Sequence, residues 1–264
     1  MNSQCNLIVF TDLDGTLIDH HSYRFTAALP AIARIKAVSA GLVLASSKTA
    51  PEISRLRAEI GCDDWPAIVE NGAGVLPPLV DAVPDDGDYR SIRNILAALP
   101  AGLRSCFRGF GDVSTAEIVD MTGLSPEAAA LAQMRSFSEP GLWSGGAAEL
   151  DRFLAALAEH GISAQQGGRF LTLSFGTNKV DQMTKINERY RPAHTIALGD
   201  APNDIAMLEH ADHGVIVANP SRPPLPELAH EASGRITRTA EAGPAGWNTA
   251  VLHLIKRLGI KQEI

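Results

Sequence analysis

Leu7-Ile8-Val9-Phe10-Thr11-Asp12-Leu13-Asp14-Gly15-Thr16 is the stretch on which the reading of this chain turns. Its first four residues form an apolar run suited to a central strand covered on both faces. The run stops at two carboxylates, Asp12 and Asp14, and the glycine after them lets the chain turn sharply. Alternation along an extended chain points both carboxylates the same way. Like charges aimed at one spot repel unless a cation or a proton sits there. The stretch therefore asks for a metal near Asp12, with one carboxylate available as nucleophile and the other as proton donor. Asp-x-Asp-Gly also occurs in ordinary turns and calcium loops, so a partner motif elsewhere has to decide.

Outward from that stretch, residues 25–39 have helical spacing and Gly41 closes the helix. Leu42-Val43-Leu44-Ala45 reads as a second buried strand, ending in Ser46-Ser47-Lys48-Thr49. Thr49 is placed as an N-cap and Pro51 as an early helical position. Ala67-Ile68-Val69 is a third strand, followed by the turn Glu70-Asn71-Gly72-Ala73. The order β-α-β-α-β predicts a parallel, doubly wound α/β sheet. Residues 77–88, rich in Pro and Asp, break the composition and read as a boundary or hinge.

The segment beyond has the texture of a small α/β insert. Helices are expected near 89–99, 126–134 and 147–160, a strand near 103–107, and a loop at Ser138-Glu139-Pro140-Gly141. Two short strands, 162–165 and 169–174, are joined through Gly167-Gly168. The wound pattern then resumes with a helix over 179–190 and the strand Thr195-Ile196-Ala197-Leu198. That strand runs into Gly199-Asp200-Ala201-Pro202-Asn203-Asp204. A further strand over 214–217, a proline-rich loop over 219–226 and a helix over 247–258 complete the chain. The expected organisation is a core from 1–84 and 178–264, interrupted by a cap over 85–177.

Composition narrows the class of partner. At 264 residues the chain is long enough to bury a sizeable core, and 45% hydrophobic against 20% charged residues describes a globular protein. A net charge of −7 with no run of Lys or Arg argues against nucleic acid or an anionic membrane surface as partner. Cys5, Cys62 and Cys106 have no metal-ligand spacing and suggest no disulfide framework. No signal peptide and no run of roughly 18 apolar residues is visible, so a cytoplasmic protein, monomer or homodimer, is expected.

In an open parallel sheet, ligands collect at the carboxyl ends of the strands. Four segments with usable chemistry fall at such ends or at helix starts: Asp12/Asp14, Ser46/Ser47/Lys48, Lys179 and Asp200/Asp204. In that order they resemble the four motifs of the haloacid dehalogenase superfamily of phosphatases. The insert resembles the α/β cap of its sugar-phosphate branch. Thr122-Gly123-Leu124-Ser125-Pro126-Glu127-Ala128-Ala129 and Ala132-x-x-Arg135-x-Phe137-Ser138-Glu139-Pro140 are similar to mannosyl-3-phosphoglycerate phosphatases. So are Ser46-Ser47-Lys48-Thr49, Glu70-Asn71-Gly72-Ala73 and Gly168-Arg169-Phe170. Ala201 departs from that family's usual serine, and Asn178-Lys179-Val180 from its more frequent Asp-Lys-Gly.

The resemblance implies phosphoryl transfer in two steps, with Asp12 as nucleophile and Asp14 as the acid and then the base. It implies Mg2+ held by Asp12, the Asp14 carbonyl, Asp200 and Asp204, the last directly or through water. Ser46, with Ser47 as competitor, would hydrogen-bond the phosphoryl group, and Lys179 would neutralise it. Lys48 would steer the substrate or sit solvated. A phosphorylated glycosylglycerate would be read by Asn71 from the core and by Arg135, Glu139, Gly168 and Arg169 from the cap. His20 and His21 are assigned no role, and Trp143 and Trp247 are read as packing residues.

Overall fold

A computed structural model describes residues 5–81 and 86–261. The chain opens with β1 (Leu7–Thr11), α1 (Leu29–Ala37), β2 (Gly41–Leu44), α2 (Ala50–Ile60), β3 (Ala67–Val69) and β4 (Gly74–Leu76). Next come α3 (Gly87–Ala98), α4 (Ala101–Arg104), β5 (Phe107–Gly109), α5 (Thr115–Thr122), α6 (Pro126–Gln133), β6 (Ser138–Trp143), α7 (Ala147–Ala158), β7 (Ser163–Gly167) and β8 (Phe170–Ser174). The last group is α8 (Lys179–Tyr190), β9 (His194–Gly199), α9 (Ile205–His210), β10 (His213–Ala218), β11 (Ile236–Ala242) and α10 (Gly243–Arg257).

The first and last groups build one five-stranded sheet in the order β11-β10-β9-β1-β2, with every neighbouring pair parallel. The apolar run of β1 explains its central place, because alternate residues serve opposite faces. Leu7 and Val9 pack with Ile35, Ile53, Trp247 and Val251 on one face, while Ile8 and Phe10 pack with Met183, Ile186, Met207 and Leu208 on the other. The doubly wound α/β fold expected from the strand–helix alternation is the one observed.

The middle group carries a second sheet, antiparallel, in the order β5-β6-β8-β7. Helices α3, α4 and α7 cover it through Ile92, Leu96, Leu103, Phe153 and Leu157. A smaller cluster joins α5 and α6 through Ile118, Ala129 and Ala132. We call this group the cap and the rest the core. The expected division at 84/85 lies outside the described residues.

Several local expectations are corrected. The third strand was expected in the parallel sheet; β3 instead pairs antiparallel with β4 and meets β2 through a single parallel bridge, Ala45 to Ile68. Residues 103–107 were expected as a strand, but Pro100 starts the short α4, and β5 begins only at Phe107. Ser138–Gly141 was expected as a loop and is the start of β6. Pro140 stands opposite Thr172 of β8, while β5 reaches only as far as Gly141. Helix α5 and strand β11 were not anticipated. For α5 the signal was present, since Ser114 and Glu117 form a capping box and Gly123 ends the helix in the left-handed region.

Candidate active site

Strands β1, β2 and β9 all end on the same edge of the core sheet, which places Asp12, Ser46 and Asp200 together. Asp12 donates its N–H to Leu198 O at 2.9 Å, fixing it against β9. Behind it, Trp247 Nε1 donates to Thr11 Oγ1 at 2.9 Å, and Thr11 Oγ1 donates to Asp12 O at 2.7 Å. Gly15, at φ +90°, cannot be replaced without collision, because a Cβ there would run into the Asn219 and Asp200 side chains.

Lys179 is the first residue of α8, and its helix start is seated against the turn after β3. Gly72, at φ +92°, approaches the Asn178 and Lys179 backbone so closely that a Cβ would overlap it. Gln182 Nε2 donates to Gly72 O at 2.9 Å and holds that approach. The Lys179 ammonium, 2% exposed, reaches Asp12 Oδ1 at 2.6 Å and Asp204 Oδ1 at 2.7 Å. The other Asp204 oxygen accepts the N–H groups of Asp200 and Ala201, at 3.1 and 3.0 Å. Asp200 accepts from Thr16 Oγ1 at 3.0 Å and Asn219 Nδ2 at 2.8 Å, and Arg222 Nε lies 3.1 Å from it.

Charge and burial act strongly here. Burial, reinforced by the Asp204 charge and opposed by Lys179, raises the Asp12 carboxyl above the usual carboxylate range. Burial works against the charged Lys179, but Asp12 and Asp204 outweigh it and raise its pKa. Lys48 follows the same logic: burial lowers it, Asp14 and then Glu52 raise it further, and the net shift is upward. Lys48 Nζ sits 3.0 Å from Asp14 Oδ2. Asp14 Oδ1 is buried with no hydrogen-bond partner among the described residues.

Ligand atoms of Asp12, Asp200 and Asp204 all lie within 4.8 Å of one another. These three carboxylates share two cations, Lys179 and Arg222, so with all three ionised the buried site carries excess negative charge. An all-oxygen donor set with excess negative charge fits a hard divalent cation.

Above this floor lies a cavity of about 570 Å³ between core and cap. Of the expected residues, Asp12, Asp14, Ser47, Lys48, Asn71, Arg135 and Gly168 line it. Ser46 is 1% exposed and does not line it; its hydroxyl accepts from Lys48 N at 3.3 Å. The guanidinium of Arg135 is held by Glu70, Ser138 and the Ser47 carbonyl. Two expected cap residues stand apart from the cavity. Glu139 is buried inside the cap, where Arg93 Nη1 and Gly111 N donate to it at 2.7 and 2.9 Å; burial raises its carboxyl despite those donors. Arg169 is exposed and stacks its guanidinium over Phe170, 5.6 Å from the ring centre.

The cap wall is made of residues that sequence reasoning missed: Phe110, Leu124, Pro140, Gln165, Gln166 and Phe170 among them. Leu124, Pro140 and Phe170 lie within stretches that carry the resemblance but are assigned no role there, and Phe110, Gln165 and Gln166 lie in no motif. Arg222 and Asn219 were also missed, although a loop leaving the end of a central strand was a usable signal.

The whole chain can now be set beside known proteins. A phosphatase of the haloalkanoate superfamily from Bacteroides thetaiotaomicron is 17% identical, with a TM-score of 0.63 over 98% of this chain and 97% of that one. The sucrose-phosphatase of Synechocystis, solved with sucrose and phosphate, is 18% identical, with a TM-score of 0.60 over 97% and 98%. A subclass IIB sugar phosphatase of the superfamily is 16% identical, with a TM-score of 0.59 over 97% and 100%. At these identities the likeness is one of fold. Residues 9–82 and 145–240 match the haloacid dehalogenase-like hydrolase family, more than half of the chain, and the chain belongs to that family.

Proposed function

We propose that the chain is a magnesium-dependent phosphatase that releases phosphate from mannosyl-3-phosphoglycerate or its glucosyl relative through an aspartyl-phosphate on Asp12. The observation that carries the phosphatase reading is the buried Lys179 joining Asp12 to Asp204 beneath a cavity, with Asp14 two residues from the nucleophile. The sugar-phosphate class is supported by the sucrose-phosphatase and subclass IIB neighbours. The narrower substrate rests on the motifs of the insert.

In the first step an Asp12 carboxylate oxygen attacks phosphorus and the bond to the leaving oxygen breaks. Asp14 protonates that oxygen, which matters because an alkoxide is a poor leaving group. In the second step water attacks the acyl phosphate, Asp14 takes its proton, and phosphate departs from a regenerated Asp12. Lys179 offsets charge on the phosphoryl oxygens, with Ser46 or Ser47 as hydrogen-bond donor. Asp12, Asp200, Asp204 and the Asp14 carbonyl would hold Mg2+, which when bound would supply the positive charge that lets an anionic nucleophile meet an anionic ester.

A second reading, a broader sugar-phosphate phosphatase, is favoured by one feature. Every Lys and Arg lining the cavity is already paired with a carboxylate, Lys48 with Asp14, Arg135 with Glu70 and Arg222 with Asp200. A glycerate carboxylate would thus meet no unpaired guanidinium among the described residues. Phosphate release from a panel of phosphoesters with Mg2+ separates the readings. The wild type should hydrolyse the glycosyl phosphoglycerates fastest, and Asp12→Asn should lose at least about 10³-fold in kcat. Equal rates across the panel favour the generalist, and no release from any ester removes the phosphatase reading.

A further inference from the structure

The loop Ser46–Lys48 is held by three consecutive carbonyl oxygens. Asn71 N donates to Ser46 O at 2.9 Å and Glu70 N donates to Lys48 O at 3.0 Å. Both donors belong to the core. The middle carbonyl, Ser47 O, accepts instead from Arg135 Nη1 of the cap, at 3.3 Å. This loop supplies two residues that line the cavity, Ser47 and Lys48.

Arg135 is itself fixed by the core. Its Nε lies 3.2 Å from Glu70 Oε2, and its Nη2 donates to Ser138 Oγ at 2.7 Å. Ser138 Oγ donates in turn to Glu70 Oε2 at 2.7 Å. The N–H groups of Ser136 and Phe137 donate to Glu70 Oε1 and Oε2 at 2.8 and 3.2 Å. Four consecutive cap residues, 135–138, therefore each place a donor on one core carboxylate, which is 2% exposed. The clasp sits at the root of the cap, where Tyr89 N donates to Ser136 O and Ser138 pairs with Ser174. Glu70 and Asn71 adopt φ of +51° and +60°, a costly region for residues with a Cβ that persists only where the surroundings enforce it.

A buried ion pair is a poor device for stability alone, since apolar packing of the same volume serves as well or better. What packing cannot supply is the arm of Arg135 on the Ser47 carbonyl. We propose that Glu70 and Arg135 are positioning residues that couple the seating of the cap to the placement of the Ser46–Lys48 loop. The loop then presents its hydroxyl and ammonium correctly to a phosphoryl group only while the cap is docked. This deepens the phosphatase reading and rests on it. Two arrangements of one element, biased by contacts at both ends, are how such coupling is carried.

The test uses Arg135→Lys, Glu70→Gln and the double variant on p-nitrophenyl phosphate and on a hexose phosphate, well below each unfolding midpoint. Lysine keeps the charge beside Glu70, but a single nitrogen cannot serve Glu70, Ser138 and Ser47 together. Misplacement of the loop should lower kcat about 10- to 100-fold on both esters while KM for the aryl ester stays within about threefold. The double variant should be no worse than the poorer single one, because the two act as a unit. Wild-type kcat on the aryl ester, with only KM for the hexose phosphate raised, would reduce the clasp to cap packing and overturn the proposal. Amide hydrogen exchange reads the coupling without turnover: residues 46–49 should exchange faster in both single variants while α10 is unchanged. Unaltered exchange at 46–49 overturns it as well. If the wild type hydrolyses neither ester, the phosphatase reading fails and the exchange result still decides the coupling.

Discussion

On the core side of the cavity, Asp12, Asp14, Lys48, Lys179, Asp200 and Asp204 crowd together, each in an ion pair. On the cap side, Arg135 is the one charged lining residue among those described, and Phe110, Leu124, Pro140, Gln165, Gln166 and Phe170 bring no charge. The floor stands on strand ends and on the first turn of α8, whose Lys179, Gln182, Met183 and Ile186 are buried. The facing wall is carried partly on the tip of the β7–β8 hairpin, where residues 165–168 are exposed. On the phosphatase reading proposed above, the difference would divide the labour: the floor would act on the part common to every phosphate ester, and the wall would meet what distinguishes one ester from another.

That division can be broken most forcefully at Lys179. Lys179→Met leaves Asp12 and Asp204 buried without their shared cation, and removing one partner of such a pair costs about 3–5 kcal/mol. Unfolding by urea should show a loss of that order, with turnover of every ester collapsing together. Added Mg2+ should then raise the unfolding midpoint more in the variant than in the wild type, because the emptier site is more negative. A variant as stable as the wild type would show that the floor is not held by its charges.

A milder change sharpens the contrast from the other side. Gln165→Ala removes one amide from the cap wall, and a lost hydrogen bond of about 1 kcal/mol corresponds to roughly a fivefold rise in KM for a sugar phosphate. Hydrolysis of p-nitrophenyl phosphate should not change. Equal effects on both esters would show that the wall reaches the phosphoryl group after all.

The smallest expected effect lies outside both walls. Hydrogen bonds from Arg238 and from the Leu228 N–H hold the Glu231 carboxyl down at about 2, against an ordinary 4.5. A carboxyl depressed on folding adds stability above its unfolded pKa, and that increment is lost as pH falls from about 4.5 towards 2. Glu231→Gln should therefore lower stability by at most about 1 kcal/mol at pH 7, as exposed pairs do, with the gap from the wild type closing on acidification. Phosphate release at neutral pH should be unaffected.

The floor was readable from the linear chain because each of its residues is marked by local grammar. Asp12 and Asp200 end apolar strands, and Lys179 stands at a helix start where the family resemblance places its third motif. The wall was not readable, because Phe110 and Phe170 look like any core aromatics until the cap brings their rings 5.2 Å apart beside the cavity. Arg135 lines the cavity, yet its donors go to the nearby Ser138 and to Glu70 and Ser47, partners more than sixty residues away that no spacing announces. Pro140 and Gly141 suggested a loop, and the strand there exists only because its neighbours supply the ladder. Motifs are local, whereas partners are set by tertiary structure.

The turn after β3 leaves a last consequence. Residue 72 is the spot where the backbone of the lysine-bearing helix comes to rest, and it has no side chain to keep that backbone away. A single methyl group added there would wedge the helix start outward and carry the ammonium off its two carboxylates, without altering any polar atom of the site. The buried contact of Lys179 with Asp12 and Asp204 is thus calibrated by bare steric clearance at a residue that bears no charge.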